Sequence, residues 1–180
     1  MIRGTVALVG RPNVGKSTIF NSLIGERKSI VEDTPGVTRD RIYGEVEWLT
    51  QEYRIIDTGG IQVENQPFSE EINMQVDVAI EEADVIVMIA SAQEGVMSDD
   101  IAIARKLQKS KKPVILAVNK ADNESLLMNI YEFYELGLGD PMPVSGTHRL
   151  GLGDLLDEVV KDMPEKEIPA YEGITSFCVI

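Results

Sequence analysis

The sequence contains little cysteine and little histidine, with one of each among 180 residues. The single cysteine, Cys178, excludes a disulfide within the chain and is typical of a reducing compartment. The single histidine, His148, follows a short polar segment, and we interpret it as an exposed loop residue rather than a metal ligand or a base. We therefore expect a cytoplasmic protein.

Long hydrophobic runs are also missing. The densest apolar segment, Ala83 to Ala92, is interrupted by Asp84 and Ser91 and falls short of the roughly 18 apolar residues of a membrane span. The N-terminal segment "MIRGTVALVG" has too short an apolar core for a signal peptide. Cys178 lies one position away from the prenylation pattern. We therefore predict no membrane partner.

Basic residues are in the minority. The chain has 17 Lys and Arg against 30 Asp and Glu, which gives a net charge of −13. Such a surface repels phosphate backbones and is expected to serve solubility, so we predict no direct nucleic-acid binding by this chain. With 43% hydrophobic residues, the chain is long enough for one α/β domain with a substantial core.

Apolar strand-like segments alternate with amphipathic helix-like segments. The predicted strands are "TVALVG", "IYGEVEWLT", "YRIIDTGG", "ADVIVMIASA", "PVILAVNKAD" and "PMPVSGT". The predicted helices are "KSTIFNSLIG", residues 69–83, "DDIAIARKLQKS", "ESLLMNIYEFYELG" and "LGDLLDEVVKDM". The second and third strands are expected to form a hairpin with a tight connection at Thr50–Glu52, and residues 26–41 are predicted to be a long loop. The pattern predicts an α/β fold with a mostly parallel six-stranded sheet, one antiparallel edge strand, and helices on both faces.

The last residues differ in composition from the rest. Residues 1–163 are predicted to form one domain, and "PEKEIPAYEG", which begins at Pro164, has the composition of a linker. The final segment "ITSFCVI" repeats the apolar pattern of the first strand. Residues 164–180 are therefore interpreted as a linker followed by the first strand of a further domain.

The segment "GRPNVGKS" matches the phosphate-binding pattern G-x-x-x-x-G-K-[ST], placed between a predicted strand and a predicted helix. Its glycines let backbone N–H groups surround a β-phosphate, and the helix N-terminus favours the negative charge. Lys16 is expected to reach the β- and γ-phosphates, and the Ser17 hydroxyl to bind Mg²⁺. The residues expected to contact the nucleotide here are Gly10, Asn13, Val14, Gly15, Lys16, Ser17 and Thr18.

The segment "DTGG" follows the third predicted strand. Asp57 is in the position of the aspartate that holds Mg²⁺, and the N–H of Gly60 is placed to sense a γ-phosphate. Taken alone, "DTGG" could be a tight turn. The next residue, Ile61, has no polar group to orient an attacking water, which is the role of a glutamine near this point in Ras.

The segment "NKAD" follows the fifth predicted strand and predicts guanine recognition. Asp122 can accept both the N1–H and the N2–H of guanine, a pattern that adenine does not present. Asn119 can bond the purine N7, and the stem of Lys120 can cover the ring. Four polar residues after a strand could also cap a helix, so the prediction depends on the phosphate-binding loop upstream.

Two further segments complete the predicted site. In "SGT", which comprises Ser145, Gly146 and Thr147, the N–H of Gly146 could meet the guanine O6. Together with "NKAD" this favours GTP over ATP. In the loop segment "DTPGVTRD", either Thr34 or Thr38 could reach Mg²⁺ and the γ-phosphate, which would make the loop a nucleotide-dependent switch.

These motifs, with "SGTHRLGLGDLLDEV", resemble the Der (also called EngA) family of bacterial GTPases, in the TrmE–Era–Der-like class. The "DTGG" segment favours Der over Era, which carries "DTPG" there. The resemblance implies a P-loop G domain that binds GTP or GDP with Mg²⁺, held by Ser17, Asp57 and the switch threonine Thr38. Several related GTPases with a hydrophobic residue in place of the Ras glutamine hold K⁺ with an asparagine at the position of Asn13.

The resemblance also implies catalytic roles and partners. The implied catalytic residues are Lys16, Asn13, Thr38 and Gly60. Der proteins have two G domains in tandem and an RNA-facing, KH-like C-terminal domain, and they act in assembly of the large ribosomal subunit. This chain would be the first G domain, with "ITSFCVI" as the start of the second. From spacing alone, Asn13 could equally be a loop residue that tolerates a left-handed turn.

Two other functions stay open at this point. The chain could be the G domain of a tRNA-modifying or Era-like GTPase. It could also be a module that binds GTP without useful hydrolysis, which Ile61 by itself would suggest.

Overall fold

A computed structural model describes residues 2–25, 30–33, 40–60 and 68–164. Its strands are β1 (Ile2–Val9), β2 (Ile30–Asp33), β3 (Asp40–Trp48), β4 (Gln51–Asp57), β5 (Val85–Ser91), β6 (Val114–Asn119) and β7 (Met142–Pro143). Its α-helices are α1 (Lys16–Ile24), α2 (Phe68–Glu82), α3 (Ser98–Ser110), α4 (Glu124–Met128) and α5 (Leu152–Asp162). Two 3₁₀ segments cover Thr58–Gly60 and Asn129–Leu136.

The strands form one sheet in the order β2-β3-β4-β1-β5-β6-β7. β1 lies at its centre and pairs in parallel with β4 and β5, and β5, β6 and β7 continue in parallel. β3 pairs antiparallel with β4 through a tight turn at Leu49 and Thr50, both with positive φ. Two positive φ values suit a two-residue hairpin turn. The predicted fold class is confirmed. The predicted hairpin is present, but its turn is at Leu49 and Thr50, whereas Thr50–Glu52 was predicted, because Gln51 and Glu52 already pair with β3.

The edge of the sheet differs from the prediction in one respect. Residues 26–41 were expected to be a loop, but β2 lies within them and β3 already begins at Asp40. β3 is antiparallel to both of its neighbours, β2 and β4. The antiparallel strand is therefore second from the edge, and β2 forms the edge itself. A four-residue strand is too short for periodicity to reveal, and its hydrogen bonds come from the free edge of β3.

The segment after β6 also differs from the prediction. One helix was expected in "ESLLMNIYEFYELG", but α4 ends at Met128 and a 3₁₀ segment continues to Leu136. The buried residues of that segment are Ile130, Phe133 and Leu136. Their spacing of three matches the three residues per turn of a 3₁₀ helix. β7 is only two residues long, and directly after it the Val144 N–H donates to the Val118 carbonyl of β6.

Both faces of the sheet are covered by helices. In β1, Val6 and Leu8 belong to the core under α1 and α5. Ala7 and Val9 belong to the opposite core, under α2 and α3. This alternation follows from the two-residue period of a strand. It fixes β1 from both sides, so the loop that follows Val9 begins from a rigid base.

The carboxyl ends of β1, β4, β5 and β6 lie along one edge of the sheet. The segments "GRPNVGKS", "DTGG", "NKAD" and "SGT" lie at the carboxyl ends of β1, β4, β6 and β7, as expected for ligand binding in such sheets. Most of the fifth predicted segment, "DTPGVTRD", lies outside the described residues. α5 ends at Asp162, next to the predicted domain limit at residue 163, and residues 165–180 lie outside the described part. Within the described residues, no helix is both long enough and apolar enough to cross a bilayer.

Candidate nucleotide-binding site

The loop from Gly10 to Gly15 joins β1 to α1. A Cβ atom on Gly10 would overlap the Ile89 carbonyl oxygen, and one on Gly15 would overlap the Asn119 side-chain nitrogen. Gly15 also has φ 96°, in the region that favours glycine. The loop is therefore held close to β5 and β6 by positions that exclude a side chain, and α1 begins directly after it.

Lys16 is the first residue of α1 and is only 8% exposed. Its Nζ donates to the Gly10 carbonyl and lies 3.4 Å from Gln75 Oε1 on α2. Burial lowers the pKa of Lys16 to about 8, and the nearby Asp57 carboxylate opposes this shift. An ammonium desolvated in this way gains from an anionic ligand, so the position fits a phosphate group.

Asp57 and Ser17 form a pair of polar side chains next to the phosphate loop. Asp57 ends β4, is 1% exposed, and has its Oδ2 3.3 Å from Ser17 Oγ. Its Oδ1 accepts the Gly59 N–H at 2.8 Å. The adjacent Thr58 donates its hydroxyl to the Leu8 carbonyl, which fixes the start of the turn that ends at Gly60.

The oxygen pair of Asp57 and Ser17 fits a Mg²⁺ site that is completed by a ligand. Mg²⁺ prefers six oxygen ligands and is usually held by one or two protein groups with phosphate oxygens and waters. Across the described ranges, no group of three or more His, Cys, Asp or Glu is arranged to hold a metal. Thr38, the third predicted ligand, and Ile61 both lie outside the described residues.

The side chain of Asn119 fastens two loops together. It is 3% exposed, donates from Nδ2 to the Val14 carbonyl at 2.8 Å, and accepts the Gly146 N–H at Oδ1. An amide nitrogen has two N–H groups, so one remains for the predicted contact with the purine N7. The Gly146 N–H, expected to meet guanine O6, donates to Asn119 in this structure.

Lys120 adds a second link between the same loops. It has φ 62°, and its Nζ donates to the Asn13 carbonyl at 2.7 Å. Asn13 itself is exposed with φ 66°. This is the left-handed conformation expected if Asn13 is a loop residue that tolerates such a turn. The predicted K⁺ contact of its side chain remains a prediction.

The remaining predicted residues surround the end of β6. Asp122 is exposed, on the loop between β6 and α4. Ser145 is 1% exposed, and its Oγ accepts the His148 N–H. Thr147 and Thr18 are exposed. The His148 side chain is also exposed, which confirms that prediction. The structure thus brings the phosphate loop, "NKAD" and "SGT" together at one edge of the sheet.

The sequence analysis did not identify two side chains at the site, one on α2 and one within the phosphate loop. Gln75 contributes to a cleft of about 370 Å³ that is also lined by Asn13, Lys16, Ser17 and Gly59. Arg11 is 8% exposed, pairs with Glu94, and donates from Nε to Asp100 Oδ1 at 3.2 Å. No spacing rule identifies either residue, because their partners lie 59 and 89 positions away.

Asp100 is the buried partner in the Arg11 pair. It is fully buried near the start of α3 and accepts the Met97 N–H at 3.0 Å. Burial raises the pKa of Asp100, although Arg11 and the Met97 N–H oppose the shift. The phosphate loop is therefore attached to α3 through Arg11 and contacts α2 through Lys16.

Comparison with known proteins gives a consistent result. Residues 5–120 match the family described as 50S ribosome-binding GTPase. The chain is 64% identical over 175 residues to GTPase Der of Levilactobacillus brevis, and 59% identical over the same length to GTPase Der of Staphylococcus saprophyticus. Each alignment covers 97% of this chain and 40% of the relative. The chain therefore spans about two fifths of the length of these curated relatives.

A solved structure supports the same fold. An Aquifex aeolicus Era variant bound to GDP·AlF4⁻ superposes with a TM-score of 0.73 at 30% identity, over 94% of this chain and 60% of that one. The predicted resemblance to Der and the predicted G-domain fold are confirmed.

Proposed function

Because this chain belongs to the family of 50S ribosome-binding GTPases, we propose that residues 1–163 bind GTP with Mg²⁺ and hydrolyse it to GDP and phosphate. The observation that carries the proposal is the buried ammonium of Lys16, next to the oxygen pair of Asp57 and Ser17. A desolvated cation beside a ready-made pair of Mg²⁺ ligands favours phosphoryl chemistry, which depends on positioning and charge stabilisation.

Each group would have a defined part in the reaction. Lys16 and the N-terminus of α1 would hold the β- and γ-phosphates, and Ser17 and Asp57 would hold Mg²⁺ with Thr38. When bound, Mg²⁺ neutralises charge on the transferred phosphoryl group. The Gly60 N–H would donate to the γ-phosphate. Lys16 is kept in place by its bond to Gly10, so little reorganisation is needed during the reaction.

We propose that K⁺ beside Asn13 supplies charge stabilisation in the transition state, because Ile61, directly after the glycines, offers no polar group to the reaction. A cation held by the Asn13 amide oxygen would stabilise the transition state more than the ground state, which is the condition for a higher turnover. Phosphate release is measured in a single turnover at constant ionic strength, in K⁺ and in Na⁺. We expect faster hydrolysis in K⁺, and Asn13→Ala should remove about a 10²–10³-fold advantage while GTP binding is retained.

The matched control for that experiment is Asn21→Ala. Asn21 is an exposed asparagine within α1, the helix that follows the phosphate loop, and its replacement should leave the K⁺ effect unchanged. Equal rates in K⁺ and Na⁺ for the wild type would contradict the K⁺ role. Absence of phosphate release in either salt would favour a binding module without hydrolysis.

The biological role that we propose is a nucleotide switch in assembly of the large ribosomal subunit. The family description and the similarity to GTPase Der support it. The relatives are about two and a half times as long as this chain, so we propose that it is the first G domain of such a protein, ahead of a second G domain and an RNA-facing domain. Co-sedimentation of the full-length protein with large subunits, with GTP or GDP present, tests this role. The small subunit is the informative control, because an Era structure that is 31% identical to this chain contains nucleotides of 16S ribosomal RNA.

A further inference from the structure

Gln75 is a buried polar residue that faces the phosphate loop from α2. It is 7% exposed, and its Oε1 lies 3.4 Å from Lys16 Nζ. The mode for hydrogen bonds of this type is about 2.9–3.0 Å, so the contact is long and weak. Its neighbours Ile72 and Val76 are buried in the core under α2. The helix therefore directs Gln75 toward the cleft.

α2 itself is attached to α3. Lys106 on α3 forms an ion pair with Asp77 at 2.7 Å and donates to the Asn73 carbonyl at 3.2 Å. These contacts flank Gln75 in the sequence of α2. α2 is thus held in place by its buried apolar residues and by its contacts with α3. The packing of α2 therefore places Gln75 next to Lys16.

We propose that Gln75 competes with the nucleotide phosphate for Lys16 and thereby sets nucleotide affinity. This inference rests on the proposed function. The Lys16 ammonium has three donors and no acceptor, and in this structure it is directed to two neutral oxygens, those of Gly10 and Gln75. A charged phosphate oxygen is a stronger partner than a neutral amide. Binding would therefore exchange the Gln75 contact for a phosphate contact.

The proposal predicts a gain in affinity when the competitor is removed. Gln75→Leu keeps the approximate volume but has no acceptor, so GDP should bind about 2- to 10-fold more tightly, the range expected for one net hydrogen bond. Gln75→Glu replaces the amide with a carboxylate and should bind GDP at least about 10-fold more weakly, because an ion pair with Lys16 must be broken. Titration calorimetry with GDP measures both effects without hydrolysis.

The matched control is Gln108→Leu. Gln108 on α3 is a second glutamine whose side chain contacts another element: its amide nitrogen donates to the Leu136 and Gly137 carbonyls, and it does not line the phosphate cleft. This variant should lose stability and keep the wild-type affinity for GDP. Weaker GDP binding by Gln75→Leu would overturn the proposal, since Gln75 would then contact the nucleotide. Unchanged binding by Gln75→Leu would overturn it as well.

A measurement without nucleotide tests the contact separately. In the nucleotide-free protein, the unfolding free energies of Lys16→Met, Gln75→Leu and the double variant form a double-mutant cycle. Non-additive effects support the contact, and additive effects contradict it. If the wild type does not bind GDP, the proposed function fails. If the wild type binds GDP but the cycle is additive, only the role of Gln75 fails.

Discussion

At the scale of single residues, two side chains that are expected to contact the nucleotide also form hydrogen bonds that hold the loops of the site together. Asn119 joins the Val14 carbonyl to the Gly146 N–H, and Lys120 reaches the Asn13 carbonyl. Asp122 differs from both, since it is exposed. Substitution of Asp122 is therefore expected to change recognition of the base while leaving the loops in place.

Asp122→Asn tests the base contact. The carboxylate would accept two N–H groups of guanine, so we expect GTP affinity to fall by about 1–3 kcal/mol, the usual cost of an unsatisfied polar group. The asparagine amide can donate to the 2-oxo group of xanthine, so preference should move toward xanthosine triphosphate. Competition binding with the two nucleotides measures this, and a variant that still prefers GTP would show that Asp122 does not contact the base.

Gly15→Ala tests the close approach of the loop to β6. The positive φ of Gly15 costs an alanine roughly 1–2 kcal/mol, and the added Cβ would displace Asn119 from its buried hydrogen bonds, for about 1–3 kcal/mol more. Gly139→Ala is the control, because its φ is also positive but its Cβ would meet nothing within 4 Å. Chemical denaturation should show the larger loss for Gly15→Ala, and equal losses would mean that Asn119 adjusts freely.

At the scale of elements, the phosphate loop is supported by two helices on one face of the sheet. Arg11 connects it to α3, Lys16 contacts Gln75 of α2, and Lys106 connects α3 to α2. The Arg11 pair differs from an ordinary surface ion pair because Asp100 is fully buried. Its loss should therefore cost more than the loss of an exposed pair.

Arg11→Met removes the counter-ion of the buried Asp100 carboxylate. We expect a loss of about 3–5 kcal/mol in unfolding free energy at neutral pH. Glu94→Gln, at the half-exposed end of the same cluster, should cost less than about 1 kcal/mol. The double variant Arg11→Met with Asp100→Asn should recover part of the loss, since the amide can still accept the Met97 N–H.

The unfolding free energy of the single variant Arg11→Met should depend on pH, and the sign of the effect follows from Asp100. The pKa of Asp100 is raised in the folded protein by burial, and loss of Arg11 raises it further. When the pKa of a carboxyl group is higher in the folded than in the unfolded protein, the folded protein loses stability as pH rises from the unfolded-state pKa to the folded-state pKa. The deficit of Arg11→Met relative to the wild type should therefore shrink as pH is lowered. A deficit that stays constant from neutral to acidic pH would contradict the role of the ionised carboxylate.

At the scale of the whole molecule, the described core residues on both faces of the sheet precede the predicted linker. The two core clusters extend from Val6 to Met163 and cover both faces of the sheet. The predicted limit of the G domain at residue 163 remains a proposal. It predicts that removal of residues beyond this limit leaves the stability of the domain unchanged.

Deletion of residues 168–180 tests that limit. We expect the melting temperature to change by less than about 2 °C, which corresponds to at most about 0.5–1 kcal/mol for a domain of this size. GDP affinity should also stay unchanged. Thermal denaturation of the shortened and the full chain, each with and without GDP, measures both quantities. A shift of many degrees would assign the last residues to this domain.

The sequence by itself determined the fold class, the hairpin and the identity of the predicted phosphate and base motifs. These features are local, because strand and helix periods are set by neighbouring residues and a phosphate-binding loop uses successive backbone N–H groups. Only the tertiary structure decided that Asn119 joins Val14, that Arg11 pairs with Asp100 and that Lys16 contacts Gln75, across 105, 89 and 59 positions. It also decided that β2 forms the edge of the sheet. The physical reason is the same in each case: a hydrogen bond between distant residues depends on how the layers pack, and packing leaves no periodic signal in the chain.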